Sequence, residues 1–299
     1  MASFERAFQS RNVQLVLAAS AVLGALIGLQ TLVLHLTLDP LADVRAYYDA
    51  GARLNAGLPL YDQPAGTDDA AFYRYPPLLA VFFRPLALLP FETAALIWEA
   101  LLLVLFAATV YRSGLRNRWT WLVLGWLAAP IAWSLAIGQA QVAVTFLVIL
   151  GTPFGIALAA NLKLLPLLVA VYWVGRRDLR ALGILGLWLV ALAALSLLLE
   201  PAGTIAFIGF PDLGQVGNVE NRSLYALSPL LWLAFVAMLA ALAFRFAPTR
   251  AGWALAVALS VLASPRLLMY QLSTLQATVR GPDADTEVPA RIEPASPAT

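Results

Sequence analysis

The stretch "VQLVLAASAVLGALIGLQTLVLHLTL" (residues 13–38) decides the fold class, because it contains no Asp, Glu, Lys or Arg. A helix needs about 20 apolar residues to cross the hydrocarbon core of a bilayer, and this run is longer. Similar runs recur along most of a 299-residue chain that is 61% hydrophobic and 12% charged. The run is too long for the core of a signal peptide and lacks a small-residue cleavage site, so we interpret it as retained. The sequence therefore predicts an all-α, polytopic membrane protein.

Orientation follows from the arginines, which collect on the cytoplasmic side of membrane proteins. Arg6 and Arg11 precede the first run and predict a cytoplasmic N-terminus, whereas the loop 39–77 is acidic and is predicted to lie outside. The basic loops "RSGLRNRW" (112–119) and "GRRDLR" (175–180) are predicted to lie inside. Of 19 basic residues only Lys163 is a lysine, a usage typical of high-GC bacteria, so we expect a bacterial plasma membrane.

These constraints predict about seven net crossings in a domain of residues 1–273. Residues 76–90 carry four prolines and are predicted to be interfacial or re-entrant, and residues 141–175 to be a broken helix. The polar residues 274–299 are predicted to form a disordered external tail. Besides the broken helix 141–175, the predicted crossings are 13–38, 91–111, 119–137, 179–199, 224–244 and 252–272.

Several classes of site are excluded or disfavoured by composition. The chain has no cysteine and one histidine, His35, so disulfides and thiolate chemistry are excluded and no metal site or cofactor is expected. The arginines lie in short loops rather than in a stripe, so nucleic acid is not an expected partner. There is also no glycine-rich loop of the kind that holds the phosphates of a nucleotide.

The nonapeptide "DVRAYYDAG" (residues 43–51) follows the first apolar run directly. Asp39-Pro40 resembles a helix start and Gly57 a helix stop, so the segment is predicted to be a surface helix. At 3.6 residues per turn Asp43 and Tyr47 share the apolar face, while the charged residues 45, 49 and 53 share a solvated one. Two interpretations stay open for Asp43: it favours the helix dipole from the first turn, or it is a general base facing a cavity.

The ordered motifs of the chain resemble glycosyltransferase family 87, whose members use polyprenyl-phosphate sugars and have the GT-C membrane fold. The resemblance covers about 230 residues, and no single element of it is specific. Its elements are Asp43 before a tyrosine pair, "GLPLY" (57–61), "YPP" (75–77), Leu89-Pro90, Trp98, Gly138-Gln139, Lys163 with Pro166, Arg176-Arg177, "NRSL" (221–224) and Ser264-Pro265.

This resemblance implies that Asp43 deprotonates an acceptor hydroxyl, which attacks the anomeric carbon with inversion as a lipid phosphate leaves. The sugar would be mannose, the acceptor an extracytoplasmic glycolipid or glycan, and the partners the bilayer and the polyprenyl-phosphate-sugar donor. Candidates for the donor phosphate are Lys163, Arg222 and Arg266. Candidates for contacts to sugar or acceptor are Tyr47, Tyr61, Tyr75, Gln139 and Asn221.

Each of these residues also has an ordinary explanation. Tyrosines are common at membrane interfaces, Gln139 and Asn221 could simply end helices, and Lys163 could extend to the membrane surface from a helix end. Lys163 lies 24 residues beyond Gln139, so one straight helix would carry it toward the cytoplasmic side. Only a re-entrant break near residues 151–153 would keep it beside the external loops.

The chain departs from the family after Ser264-Pro265, where a polar tail stands in place of further spans. Gln271 also occupies a position that is often acidic in the family. We therefore expect either a compact active transferase or a shortened non-catalytic relative acting as a partner subunit. A transporter or flippase for lipid-linked sugars is a further alternative, although it predicts inverted repeats and midplane polar residues that the sequence does not clearly show.

Overall fold

A computed structural model describes residues 10–62, 72–209 and 220–281, and these residues form helices and connecting loops without a strand. This confirms the predicted all-α membrane protein. Four of the described helices are long and apolar enough to cross a bilayer. They are α1 (Arg11–Leu38), α4 (Phe91–Ser113), α10 (Leu179–Leu199) and α13 (Pro229–Phe246).

The remaining helices are shorter. They are α2 (Ala42–Asn55), α3 (Pro77–Leu86), α5 (Arg118–Trp126), α6 (Ala128–Ala136), α7 (Gln141–Ile149), α8 (Pro153–Leu162), α9 (Ala170–Arg176), α11 (Pro201–Ile208), α12 (Leu224–Leu227) and α14 (Arg250–Leu262), with 3₁₀ segments at Leu165–Val169 and Met269–Val279.

The predicted crossing 119–137 is bent rather than straight. Helices α5 and α6 meet at 65° around Leu127, and the pair counts as a fifth candidate span only if the two helices are taken together. Pro130 cannot donate a hydrogen bond to the preceding turn, so a continuous helix is broken here, while a new helix tolerates proline in its first turn. The count of seven crossings is therefore not confirmed by the described helices.

Helix α2 begins later than predicted. Asp39 is the C-cap of α1 rather than the N-cap of α2, and Leu41, in the left-handed region at φ 57°, precedes the first turn. The N–H groups of Leu41 and Asp43 donate to the carbonyls of Ala136 and Ile137, each at 3.1 Å. These two bonds fix the start of α2 against the end of α6.

Residues 141–176 are interrupted as predicted, and the interruption is a reversal. Helix α7 ends before Gly151, which has φ 63°, and α8 starts at Pro153 with the Thr152 hydroxyl accepting from the Gly155 N–H at 3.1 Å. Proline at the first helical position and an N-capping threonine are typical of a helix start. The chain therefore turns back, and Lys163 at the end of α8 returns to the level of Gln141 at the start of α7.

The C-terminal part differs from the prediction. Helix α14 ends at Leu262, so residues 252–272 are not one straight crossing. Residues 274–279, assigned to the disordered tail, lie in the 3₁₀ segment Met269–Val279, where Thr274 and Gln276 are buried. The Trp253 indole donates to the Ala277 carbonyl at 2.9 Å, which ties this segment to α14. Residues 282–299 of the predicted tail lie outside the described residues.

Candidate active site

Asp43 lies in the first turn of α2, on the buried face that the sequence predicted. Tyr47 and Leu54 on that face are buried, whereas Arg45 and Asp49 on the opposite face are exposed. The Asp43 side chain is partly buried, and no hydrogen bond to its carboxylate is formed within the described part of the chain. A first-turn carboxylate that accepts no hydrogen bond within the described chain can accept one from an incoming hydroxyl.

Four charged residues elsewhere in the chain act electrostatically on Asp43. Burial raises the pKa of the Asp43 carboxyl to about 7, while the positive charges of Lys163, Arg74 and Arg266 oppose this rise and the charge of Asp39 adds to it. A base with a pKa near the working pH is the most effective proton acceptor. The surroundings of Asp43 therefore suit a general base.

The reversal between α7 and α8 brings Lys163 to the part of the structure that contains Asp43. Its Nζ donates to Gln141 Oε1 at 2.7 Å and lies 5.3 Å from the ring centroid of Tyr75 and 4.8 Å from that of Tyr270. Burial lowers the pKa of Lys163, Arg266 lowers it further, and the charge of Asp43 raises it. The re-entrant break that the sequence required for an external Lys163 is thus present.

Gln139 holds two of the candidate tyrosines. Its Oε1 accepts the hydroxyls of Tyr47 at 2.9 Å and Tyr75 at 2.8 Å, and the Tyr47 hydroxyl also accepts the Ala140 N–H at 3.2 Å. Burial raises the pKa of both phenols well above the ordinary value, so they remain neutral donors. Gln139 itself is 0% exposed, and its oxygen positions the two tyrosines, while its role in binding substrate stays a prediction.

The loop before Gln139 fits closely against α2. Gly138 has φ 68°, and a Cβ there would lie 2.0 Å from a methyl group of Val44 and 2.5 Å from Glu99 Oε1. The Trp98 indole donates to the Gly138 carbonyl at 2.8 Å. Glycine is needed at this position because any side chain would push away the residue next to Asp43.

Tyr61 contacts Tyr75 and helix α11. Its hydroxyl donates to the Tyr75 carbonyl at 2.6 Å, and its ring packs 5.8 Å from that of Phe207. Tyr61 therefore fixes the backbone of Tyr75 and packs against α11.

Asn221 holds a loop together through its described contacts, and its role in substrate binding stays a prediction. Its amide donates to the Pro265 carbonyl at 3.0 Å, and its oxygen accepts the N–H groups of Ser223 at 2.8 Å and Leu267 at 2.9 Å. These bonds hold the loop that carries Arg266. A side-chain amide that satisfies several backbone groups is already committed to them.

The three residues predicted to bind the donor phosphate differ in their surroundings. Lys163 and Arg266 both act electrostatically on Asp43, whereas Arg222 is exposed and shows no such interaction with it. The Arg222 backbone N–H bonds the Leu267 carbonyl at 2.7 Å, so only its backbone is tied to this loop.

Four residues of the site were missed by sequence reasoning: Arg74, Gln141, Tyr270 and Thr274. Arg74 stands beside Tyr75 in "FYRYPP" and could have been found as the cation of that motif. The other three come together with Lys163 only because of the reversal and the position of the last segment, with Gln141 and Tyr270 against Lys163 and Thr274 against Gln141. No local sequence pattern indicates this.

The site holds no described cluster of three His, Cys, Asp or Glu side chains that could bind a metal. An apolar cavity of about 920 Å³ opens elsewhere, between α1 and the α5–α6 pair, and is lined by residues such as Leu29, Trp121 and Leu135. None of the candidate site residues lines it.

The comparisons with known proteins agree with the motif resemblance. The profile of glycosyltransferase family 87 matches residues 72–268. A polyprenol-phosphate-mannose-dependent alpha-(1-2)-phosphatidylinositol pentamannoside mannosyltransferase of Mycolicibacterium smegmatis is 26% identical over 205 residues, which cover 60% of this chain and 50% of the relative. The chain thus spans about half the length of that curated relative, and no solved structure matches it. Because the family profile covers more than half of the sequence, this chain belongs to glycosyltransferase family 87.

Proposed function

We propose that this chain transfers a sugar, most simply mannose, from a polyprenyl-phosphate carrier to a hydroxyl of a glycolipid or glycan. The observation that carries the proposal is that Lys163 lies over the ring of Tyr75, whose hydroxyl shares the Gln139 oxygen with Tyr47, one helical turn from Asp43. Lys163 and Arg266 both act electrostatically on Asp43. The mannosyltransferase of M. smegmatis acts on phosphatidylinositol pentamannoside, as its name states, and supports a glycolipid acceptor here. In a GT-C-like arrangement in the bacterial plasma membrane, with the N-terminus cytoplasmic, the acceptor would be extracytoplasmic.

The reaction would be one displacement at the anomeric carbon. Asp43 accepts the proton of the acceptor hydroxyl while the hydroxyl oxygen forms a bond to that carbon. The bond between this carbon and the phosphate oxygen breaks, and polyprenyl phosphate leaves with the electron pair. A single displacement inverts the configuration, and no cofactor is needed.

The cations of the site would act on the leaving group. Polyprenyl phosphate gains a negative charge as it departs, and a Lys ammonium or an Arg guanidinium stabilises this charge by charge-assisted hydrogen bonds. Lys163 and Arg266 are the candidates for this contact, and Arg74 is a further cation near Asp43. Arg222 is not included, because its side chain lies outside this group.

The proposal is tested by sugar transfer in membranes that contain the chain, with radiolabelled polyprenyl-phosphate-mannose and a lipid acceptor pool. Asp43→Asn is compared with Asp49→Asn, because Asp49 lies on the exposed face of the same helix. Loss of a general base typically lowers the rate by about 10²–10⁴-fold. We expect this loss in Asp43→Asn and near-native transfer in Asp49→Asn at equal protein levels.

Transfer that survives in Asp43→Asn would remove this carboxylate from the mechanism. If the native chain gives no transfer with any lipid-linked sugar, yet its truncation disrupts a larger assembly, the partner-subunit alternative is correct. Movement of intact donor across the membrane without transfer would identify a transporter.

A further inference from the structure

Lys163 is held by a second glutamine, Gln141, which is itself hydrogen-bonded to two threonines. Gln141 Oε1 accepts from Lys163 Nζ at 2.7 Å, and Gln141 Nε2 donates to Thr274 Oγ1 at 2.6 Å. Thr274 Oγ1 lies 2.8 Å from Thr145 Oγ1, which in turn donates to the Gln141 carbonyl at 2.8 Å. The side chains of Gln141, Thr145 and Thr274 are between 1% and 5% exposed.

The direction of every bond in this group follows from the lysine. An ammonium group has no acceptor, so the oxygen of the Gln141 amide must face Lys163 and its NH₂ must face Thr274. The single hydroxyl proton of Thr145 is used by the Gln141 carbonyl, so Thr274 donates to Thr145. A flip of the Gln141 amide would turn its NH₂ group toward the ammonium, so the bonds to Lys163 and Thr274 hold the amide in one orientation.

We propose that Gln141, oriented by Thr274 and Thr145, is a positioning residue that directs the Lys163 ammonium into the donor-phosphate site. The inference rests on the proposed role of Lys163 as a phosphate ligand. It also assigns a function to the segment Met269–Val279, in which Thr274 binds the Gln141 amide and Tyr270 places its ring against the Lys163 ammonium.

The Gln141 oxygen should also keep Lys163 charged. A hydrogen bond accepted from the ammonium favours the charged form, and so does the carboxylate of Asp43, whereas burial and Arg266 oppose it. Tyr75 and Tyr270 face the ammonium with neutral rings. Removing the oxygen should therefore lower the pKa of Lys163, and replacing the amide by a carboxylate should raise it.

The test uses the purified full chain in detergent and farnesyl phosphate as the probe, with binding measured by calorimetry from pH 6 to 9. The phosphate of the probe titrates alike for all variants, so only differences between variants are read. Gln141→Leu should weaken binding at pH 7 by on the order of tenfold and shift the alkaline loss of binding to lower pH. Gln141→Glu should shift that loss to higher pH.

A second pair of variants covers the case in which Gln141→Leu does not fold. Thr274→Val removes the acceptor of the Gln141 NH₂ group and should shift the alkaline loss of binding to lower pH by less than Gln141→Leu. Thr274→Ser keeps the hydroxyl and should behave like the native chain. If Gln141 had only a structural role, the Gln141 and Thr274 variants would change the melting temperature of the chain. They would not shift the pH dependence of farnesyl phosphate binding in opposite directions for Gln141→Leu and Gln141→Glu.

Two results would overturn the inference and are distinguishable. If Lys163→Met weakens binding of farnesyl phosphate but the Gln141 and Thr274 variants leave its pH dependence unchanged, the positioning role is wrong and the phosphate role of Lys163 stands. If Lys163→Met itself has no effect, the phosphate assignment fails and the positioning role fails with it.

Discussion

Gln139 and Gln141 are two residues apart and both buried, yet their side-chain oxygens accept hydrogen bonds from different kinds of donor. Gln139 accepts two neutral phenol hydroxyls and lies on what we call the tyrosine side of the site, formed by Tyr47, Tyr75 and Gln139. Gln141 accepts an ammonium and belongs to the lysine side, formed by Lys163, Gln141 and Thr274. The tyrosine side should therefore determine shape and stability, whereas the lysine side should determine charge and donor binding.

The largest effect should come from removing the charge on the lysine side. Lys163→Met should weaken donor binding by about 10–100-fold, since a hydrogen bond to a charged group contributes roughly 1.5–3 kcal/mol. The same substitution leaves the buried Gln141 oxygen without its donor and removes a cation that acts on Asp43, so it should also lower the melting temperature of the purified chain. Donor titration and thermal unfolding measure the two quantities on one preparation.

Lys163→Arg is the matched control, because it keeps the charge in a different shape. It should retain more donor binding than Lys163→Met. Equal binding by the two variants would show that the positive charge is not what the site uses.

The pH dependence of transfer should be narrow and centred near neutrality. Transfer should fall at acid pH as Asp43 is protonated, with the acid limb moved upward because burial raises the pKa of Asp43 to about 7. It should fall at alkaline pH as Lys163 loses its proton, with that limb moved downward because burial lowers the pKa of Lys163. A profile of kcat/KM against pH that stays flat from pH 5 to 9 would contradict both assignments.

A smaller effect should separate the two arginines predicted for the phosphate. Arg266→Gln should weaken donor binding several-fold and move the acid limb of transfer to higher pH, because Arg266 lowers the pKa of Asp43. Arg222→Gln should change neither, since the Arg222 side chain is exposed and acts on neither Asp43 nor Lys163. Equal effects of the two substitutions on binding and on the acid limb would contradict this division.

The smallest effect on the reaction should come from the tyrosine side. Tyr47→Phe removes one donor from Gln139 and the acceptor of the Ala140 N–H, so it should lower the free energy of unfolding by about 1–3 kcal/mol. Donor binding should change by less than about threefold, because no charge is lost. Thermal unfolding and donor titration test this, with Tyr111→Phe as the control because Tyr111 is 70% exposed.

Much of the tyrosine side could be predicted from sequence, because its features are local. The spacing of Asp43 and Tyr47 identified the buried face of α2, and the ordered motifs identified Tyr75 and Gln139 as candidates. The function of Gln139 was less accessible, since an amide at a helix end looks the same whether it binds sugar or orients a tyrosine. Asn221 illustrates the same limit: its amide holds the 264–267 loop, which sequence spacing cannot reveal.

The lysine side depends on contacts between distant segments and was therefore harder to predict. Glycine and proline indicated a break near residue 151, but only the structure shows that the chain reverses and brings Lys163 to Gln141. Thr274 was assigned to a disordered tail because its neighbours are polar. Its burial depends on hydrogen bonds to α7, more than 120 residues away in the chain.

The proposed function requires that the reversal between α7 and α8 brings Lys163 to the same side of the membrane as Asp43. The chain has no cysteine, so single-cysteine variants can be labelled in oriented membranes with a small impermeant thiol reagent. Lys163→Cys is compared with Asp49→Cys in α2 and with Arg116→Cys in the basic loop between α4 and α5, both exposed positions. We expect Lys163→Cys and Asp49→Cys to react from one side and Arg116→Cys from the other. Labelling of Lys163→Cys from the side of Arg116→Cys would contradict the account.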